Sequence, residues 1–210
     1  MKLMTKINTS PTRQMRITIN STGLKDWSGN LLLIGLTEGN YDQQLSNFDQ
    51  LTNKDLLLDH LTKHNFSAKP GELFSFQLLK DDFKKIIFIG LGKLEKLEIN
   101  DIRQAACLGA RASIGSTGKL GVILPWHPFD ANTIAKAVGE ACRLAIFKDL
   151  RFRSTPDSRK CPDQIELIGL PDSTNQTIKT IESICAGVEL ARELVGAPPN
   201  HLTPAELANQ

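Results

Sequence analysis

Short aliphatic runs closed by glycine or proline alternate along this chain with longer stretches in which apolar residues return every three or four positions. Asn30 to Thr37 is a continuous aliphatic run closed by Gly39, and Lys85 to Ile89 leads into Gly90-Leu91-Gly92-Lys93. Leu120 to Leu124 is a third run, and Gln164 to Leu170 ends at Pro171. A run without polar alternation belongs to a strand covered on both faces, and such strands occur in sheets sandwiched between helices. Arg16-Ile17-Thr18-Ile19 does alternate and suits an edge-like strand, while Leu73 to Leu79 supplies one more. The pattern predicts an α/β chain, a three-layer α/β/α sandwich around a largely parallel or mixed sheet.

The intervening stretches carry helix signals. From Phe48 to His64, Leu51, Leu58 and Leu61 share a face, and Asn65 and Pro70-Gly71 punctuate the end. Asn100 is the expected N-cap of the next helix, and Gly115 is its expected stop. Its Ile102, Ala105, Ala106, Gly109, Ala110 and Ser113 form a small-residue face able to lie close against a sheet. Asp130 caps a helix whose apolar side runs Ile134, Val138, Ala141, Cys142, Ala145, Ile146. Ser173 and Gln176 form a capping box opening a long helix through Ile178, Ile181, Ile184, Cys185, Val188, Ala191 and Val195, stopped by Gly196 and Pro198-Pro199. Met1 to Gln14 has no periodicity and is expected to be a loose lead-in.

At 210 residues, 40% of them hydrophobic, the chain needs neither disulfide nor metal staples to hold a core. Its aliphatic runs fall far short of the ~20 residues of a membrane span. Lys2, Lys6, Arg13 and Arg16 enclose no apolar stretch of secretory type, so a cytoplasmic location is expected. Cys107, Cys142, Cys161 and Cys185 are too far apart for a C-x-x-C pair, and reduced, mostly buried thiols are the expectation. A formal net charge of +2 is too small to draw nucleic acid or a membrane by bulk field.

Tests for local chemistry mostly fail. Neither Gly90 to Lys93 nor Ser113 to Lys119 fits a Walker loop, because Ile87 and Ser113 stand where the first glycine belongs. Glu95 takes the place of the third glycine of a dinucleotide fingerprint. His60 and His64 have metal-sharing spacing, but Leu61 replaces the glutamate of a zincin. His127 follows a strand, and His201 has no visible partner. No serine sits in a nucleophile elbow. Arg143, Lys148, Arg151, Arg153, Arg159 and Lys160 outnumber Asp149 and Asp157 by four, with Phe152 among them, which makes a DNA-binding patch one alternative. A nucleotide or ADP-ribose site at the two glycine-bearing loops is another.

Thr203-Pro204-Ala205-Glu206 is a complete helix start, yet Gln210 ends the chain, and a helix that short is far below the ~12–15 residues at which an isolated helix is even marginal. The expectation is that a second domain follows; a frayed tail is the alternative.

The segment from Glu189 to Ala208 resembles the junction before the catalytic domain in the leucyl aminopeptidases, the cytosol aminopeptidase family, most specifically in Pro198-Pro199-Asn200 followed by Thr203-Pro204. Phe88 to Lys93 and the alanine-rich helix after Asn100 are similar to the same family's N-terminal domain. The resemblance implies a macro-domain-like α/β/α sandwich over 15–171, a linker helix over 172–197 and the beginning of a catalytic domain over 198–210. It implies a parent metalloexopeptidase that removes N-terminal residues from peptides, uses two divalent cations, Zn or Mn, and assembles as a hexamer. The family's glycine-rich lysine segment and its Asn-Thr-Asp-Ala-Glu-Gly-Arg type motif are absent from these 210 residues. No catalytic, cofactor-binding or metal-binding residue is therefore assigned here. The chain is expected to serve structure and assembly, with its own catalytic domain and further subunits as partners.

Overall fold

The computed structural model describes residues 15–24, 27–39, 41–46, 54–77, 85–152, 154–155 and 159–208. The expected lead-in, the first part of the helix expected from Phe48, Leu78 and Leu79 of the expected strand, and Arg153 lie outside the described residues.

The run beginning at Asn30 becomes β2 (Leu31–Leu36), all six residues of which are buried. Leu31 and Leu33 join one apolar cluster, and Leu32, Ile34 and Leu36 join another on the opposite face. This is why the run shows no polar alternation: both faces of the strand are covered. β2 pairs in parallel with β4 (Lys85–Gly90) on one side and β5 (Lys119–Ile123) on the other. β6 (Gln164–Ile168) follows β5 in parallel, and β1 (Arg16–Asn20) closes that edge, also parallel. β3 (Leu73–Gln77) pairs antiparallel with β4 at the other edge, giving the order β1-β6-β5-β2-β4-β3. Arg16 to Ile19 is thus at an edge, as its alternation requires.

One face of the sheet carries α3 (Ile99–Ala112), α4 (Ala131–Ile146) and α5 (Asn175–Gly196), whose buried residues share a cluster with Leu33, Ile87 and Val122. The other carries α1 (Tyr41–Ser46) and α2 (Lys54–Lys63), packed through Leu45, Leu57 and Leu61 against Ile34 and Phe88. The small-residue face of α3 does what its composition predicts. A Cβ at Gly109 would stand 2.4 Å from Leu33 Cδ1, so the helix lies directly on β2.

Several boundaries differ from the sequence expectation. α3 is capped by Glu98 rather than Asn100: the Glu98 amide donates to Asp101 Oδ2 at 2.9 Å, and the Glu98 side chain accepts from the Asp101 amide in return. Because Asp101 reaches back three residues, Asn100 lies inside the first turn. The helix ends at Ala112, with Ser113 as its C-cap, before Gly115. Ser173 and Gln176 form no capping box. Asp172–Thr174 instead makes a 3-10 turn, in which the buried Thr174 gives its hydroxyl to the Pro171 carbonyl and α5 starts from it. Asp130 does cap α4, accepting from the Thr133 amide at 2.8 Å. Asn65, at φ 53°, takes the left-handed position after α2 and lets the Phe66 amide reach back to the Leu61 carbonyl. α1 has no counterpart in the sequence reading. At the C-terminal end Thr203 caps α6 (Pro204–Ala208), accepting from the Glu206 amide at 3.2 Å.

Candidate functional site

The two glycine-bearing loops do not come together. Gly90 to Lys93 follows β4, whereas Ser113 to Lys119 precedes β5; because both strands run parallel to β2, the loops lie at opposite ends of the sheet. Their amides are also engaged. Gly90 donates to Glu72 O at 2.7 Å, Leu91 to Leu36 O at 2.9 Å and Gly92 to Ala68 O at 2.8 Å. Ser113, Ile114, Gly115 and Ser116 donate to Ala110, Arg111, Lys160 and Ser113 carbonyls. A phosphate nest requires successive amides aimed at the ligand, and those of Gly90 to Gly92 and of Ser113 to Ser116 are already given to carbonyls of the chain. The space over Gly35, near the carboxyl ends of the strands, is filled by Leu91 and Leu124.

His60 and His64 stand with ring centroids 6.5 Å apart, and each packs on a phenylalanine of β3, Phe76 at 4.6 Å and Phe74 at 4.9 Å. They form an aromatic stack between α2 and the edge strand. His127 is exposed beside Trp126, whose indole N–H donates to Ile168 O at 2.8 Å. His201 has a partner that the sequence did not show: its ring lies 5.0 Å from that of Phe152. Cys142 and Cys185 are buried, and Cys107 and Cys161 are half-buried. Burial pushes the Cys142 thiol up, and it pushes Cys185 up to about 11, against the pull of Arg143. A thiol held protonated in this way is a packing group rather than a nucleophile.

In the basic segment, Arg143 and Arg151 turn inward onto carboxylates of the chain. Arg143 Nε and Nη2 donate to Glu189 Oε1 and Oε2 at 2.8 and 2.7 Å, with the two side chains 5% and 0% exposed. The paired carboxylate holds the Arg143 proton more tightly than usual, against the opposing effect of burial. Arg151 is held by both oxygens of Asp149, at 2.9 and 2.7 Å, and donates onward to the Glu193 carbonyl. Lys148 Nζ reaches Arg159 O at 3.4 Å. Arg103 Nη1 meets Glu140 Oε2 at 3.3 Å on the neighbouring helix pair. Arg143 and Arg151, two of the six cations of the alternative DNA-binding patch, are therefore bound to this chain's own carboxylates.

Glu189 and Glu193 escaped the sequence reading, although a signal was there. Continuing the inner face from Ile181 and Cys185 by steps of four puts both carboxylates on it. The apolar residues assigned to α5 as one face instead divide into two. Ile178, Ile181 and Cys185 are buried, while Ile184 is 37% and Val195 88% exposed, and Ala191 is exposed between them.

For the paired cations that the resemblance implies, the fit can be tested on the donor set. Among the described residues no three His, Cys, Asp or Glu side chains converge, and the most buried carboxylates face arginines. These residues do not fit a two-cation centre.

A six-stranded mixed sheet with helices packed on both faces places the chain in the α/β class. Residues 33–156, more than half of the chain, match the model of the N-terminal domain of the cytosol aminopeptidase family. The chain belongs to this family, as its N-terminal domain. It is 51% identical over 93% of its length to a probable cytosol aminopeptidase of Prochlorococcus marinus, covering 40% of that protein. It is 40% identical over 92% of its length to one from a Synechococcus species, covering 39% of it. Among solved structures, a tomato leucine aminopeptidase mutant superposes with a TM-score of 0.74 at 26% identity, over 93% of this chain and 41% of that one. The bottromycin maturation enzyme BotP in complex with Mn shares the fold at a TM-score of 0.64 and 19% identity, over 86% of this chain and 34% of that one. The chain thus spans about 40% of the length of the curated relatives it matches.

Proposed function

We propose that this domain is the non-catalytic part of a metallo-aminopeptidase that removes N-terminal residues from peptides, and that its work is to position and help assemble the catalytic part. Residues 15–171 form the sandwich, 172–197 the linker helix and 198–210 the approach to the catalytic domain. Two divalent cations, Zn or Mn, belong to that second domain; the Mn complex of BotP supports metal use in the wider fold group. The whole protein works in the cytoplasm as a homo-oligomer, a hexamer in this reading. Its relatives carry the name cytosol aminopeptidase, and no described helix is long and apolar enough to cross a membrane.

The observation that carries this reading is the two-sided character of α5. Its inner side is locked to the sandwich by ion pairs, and its outer side presents Ile184, Ala191 and Val195 to a further body. A chimera tests it, with this chain replacing the matched part of the 51%-identical relative. The chimera is expected to hydrolyse a leucine chromogenic substrate with Mn or Zn. A chimera that folds and binds metal but does not turn over would contradict the positioning role.

A further inference from the structure

We infer that the loop after α4, residues 147–152, is a clasp that fixes the direction of the last turns of α5 and of segment 198–208, with Arg151 and Phe152 as its positioning residues. The inner face of α5 changes character along its length. Ile178, Ile181 and Cys185 make an ordinary apolar seam, and then Glu189 and Glu193 take over. An apolar seam tolerates small slides and rotations, whereas a guanidinium gripping a carboxylate through two parallel bonds fixes position in two directions. Such buried pairs add little net stability over apolar packing, so what this one supplies is geometry.

The loop meets that charged end from the side. Arg151 is oriented by Asp149 before it touches α5, and then Nη2 donates to Glu193 O while Nη1 lies 4.0 Å from Glu193 Oε2. A cation on the carbonyls of the last helical turn also opposes the negative end of the helix dipole. Asp149 Oδ2 lies 3.2 Å from where a Cβ would stand at Gly196, so the loop also passes close to the end of the helix at its glycine. The contact is returned by α5: Arg192 Nη1 donates to Leu144 O at 2.8 Å, and its guanidinium lies over the Phe147 ring at 5.6 Å. Phe152 extends the grip past the helix, with Arg151 5.2 Å from its centroid on one side and the His201 ring 5.0 Å away. One loop therefore touches the helix end and the segment beyond it. The consequence for a catalytic domain rests on the function proposed above; the clasp itself is a property of this chain.

Amide hydrogen exchange on the whole chain tests it. Arg151→Ala is expected to raise exchange across 190–207 by about tenfold while amides of β2 and β4 keep their protection. Phe152→Ala, at a 41%-exposed position that should not affect folding, is expected to move the His201 ring-proton resonances toward unstructured values. Three results would overturn the clasp: no protection over 198–207 in the unaltered chain, a rise in exchange spread equally over all elements in Arg151→Ala, or His201 resonances that ignore Phe152→Ala. If Arg151→Ala does not fold, the Phe152 measurement alone decides. None of these readouts depends on peptidase activity, so the clasp can fail while the aminopeptidase reading stands, and the reverse.

Discussion

Glu189 is fully buried, and both of its carboxylate oxygens accept from Arg143. Removing Arg143 alone, as Arg143→Ala, leaves that carboxylate without its bidentate donor and should cost about 3–5 kcal/mol in urea denaturation. The double variant Arg143→Met/Glu189→Met replaces both charges with apolar groups and should recover most of the loss, so the two sites will be strongly non-additive. Additive losses would mean that the pair does not form. The thiols offer a second check. Cys107 and Cys161 should react with a thiol reagent in the native chain, while buried Cys142 and Cys185 wait for unfolding. Fast reaction of all four would contradict the packing.

Helices and strands were mostly legible because their signals are local. The buried runs at Leu31, Lys85, Leu120 and Gln164 are strands, since continuous aliphatic residues need cover on both faces whatever the topology. Caps were less legible, because two side chains three residues apart can exchange roles. Glu98 and Asp101 won over Asn100 in this way, and the 3-10 turn at Thr174 displaced the box expected from Ser173. Asp130 kept its expected role. Hydrogen bonds from the Thr133 amide and hydroxyl hold its carboxyl below the usual range. A carboxylate with a depressed folded pKa stabilises the fold above its unfolded value, and that contribution fades as pH falls through the folded one. The difference in melting temperature between the unaltered chain and Asp130→Ala should therefore be full at about pH 6 and shrink on titrating well below 3.8, the ordinary aspartate value. A difference that is constant with pH would assign the effect to something other than the charged cap.

At the scale of the whole molecule, charge pairing was the least legible feature, because it joins residues 46 positions apart. Six cations close together in sequence left an outward basic patch open as an alternative. The fold instead places α5 against α4 and turns Arg143 inward, and the loop does the same for Arg151. The two glycine-bearing loops looked equivalent in sequence, and only the parallel order of β4, β2 and β5 shows that they sit at opposite ends of the sheet. What the sequence did show is the family, whereas the open side of α5 emerges only from the fold. Val195→Asp should change the stability of the isolated chain by no more than about 0.5 kcal/mol, since the side chain is 88% exposed. In the chimera the same change should lower activity, because it would put a charge where the further body docks. Equal activity would place that surface elsewhere.

The most direct test is hydrolysis of a leucine chromogenic substrate by the purified 210-residue chain with Mn or Zn added. No turnover above the metal-only blank is predicted, because the described side chains build no centre able to hold two cations. Hydrolysis that co-elutes with the chain and disappears with a chelator would contradict it.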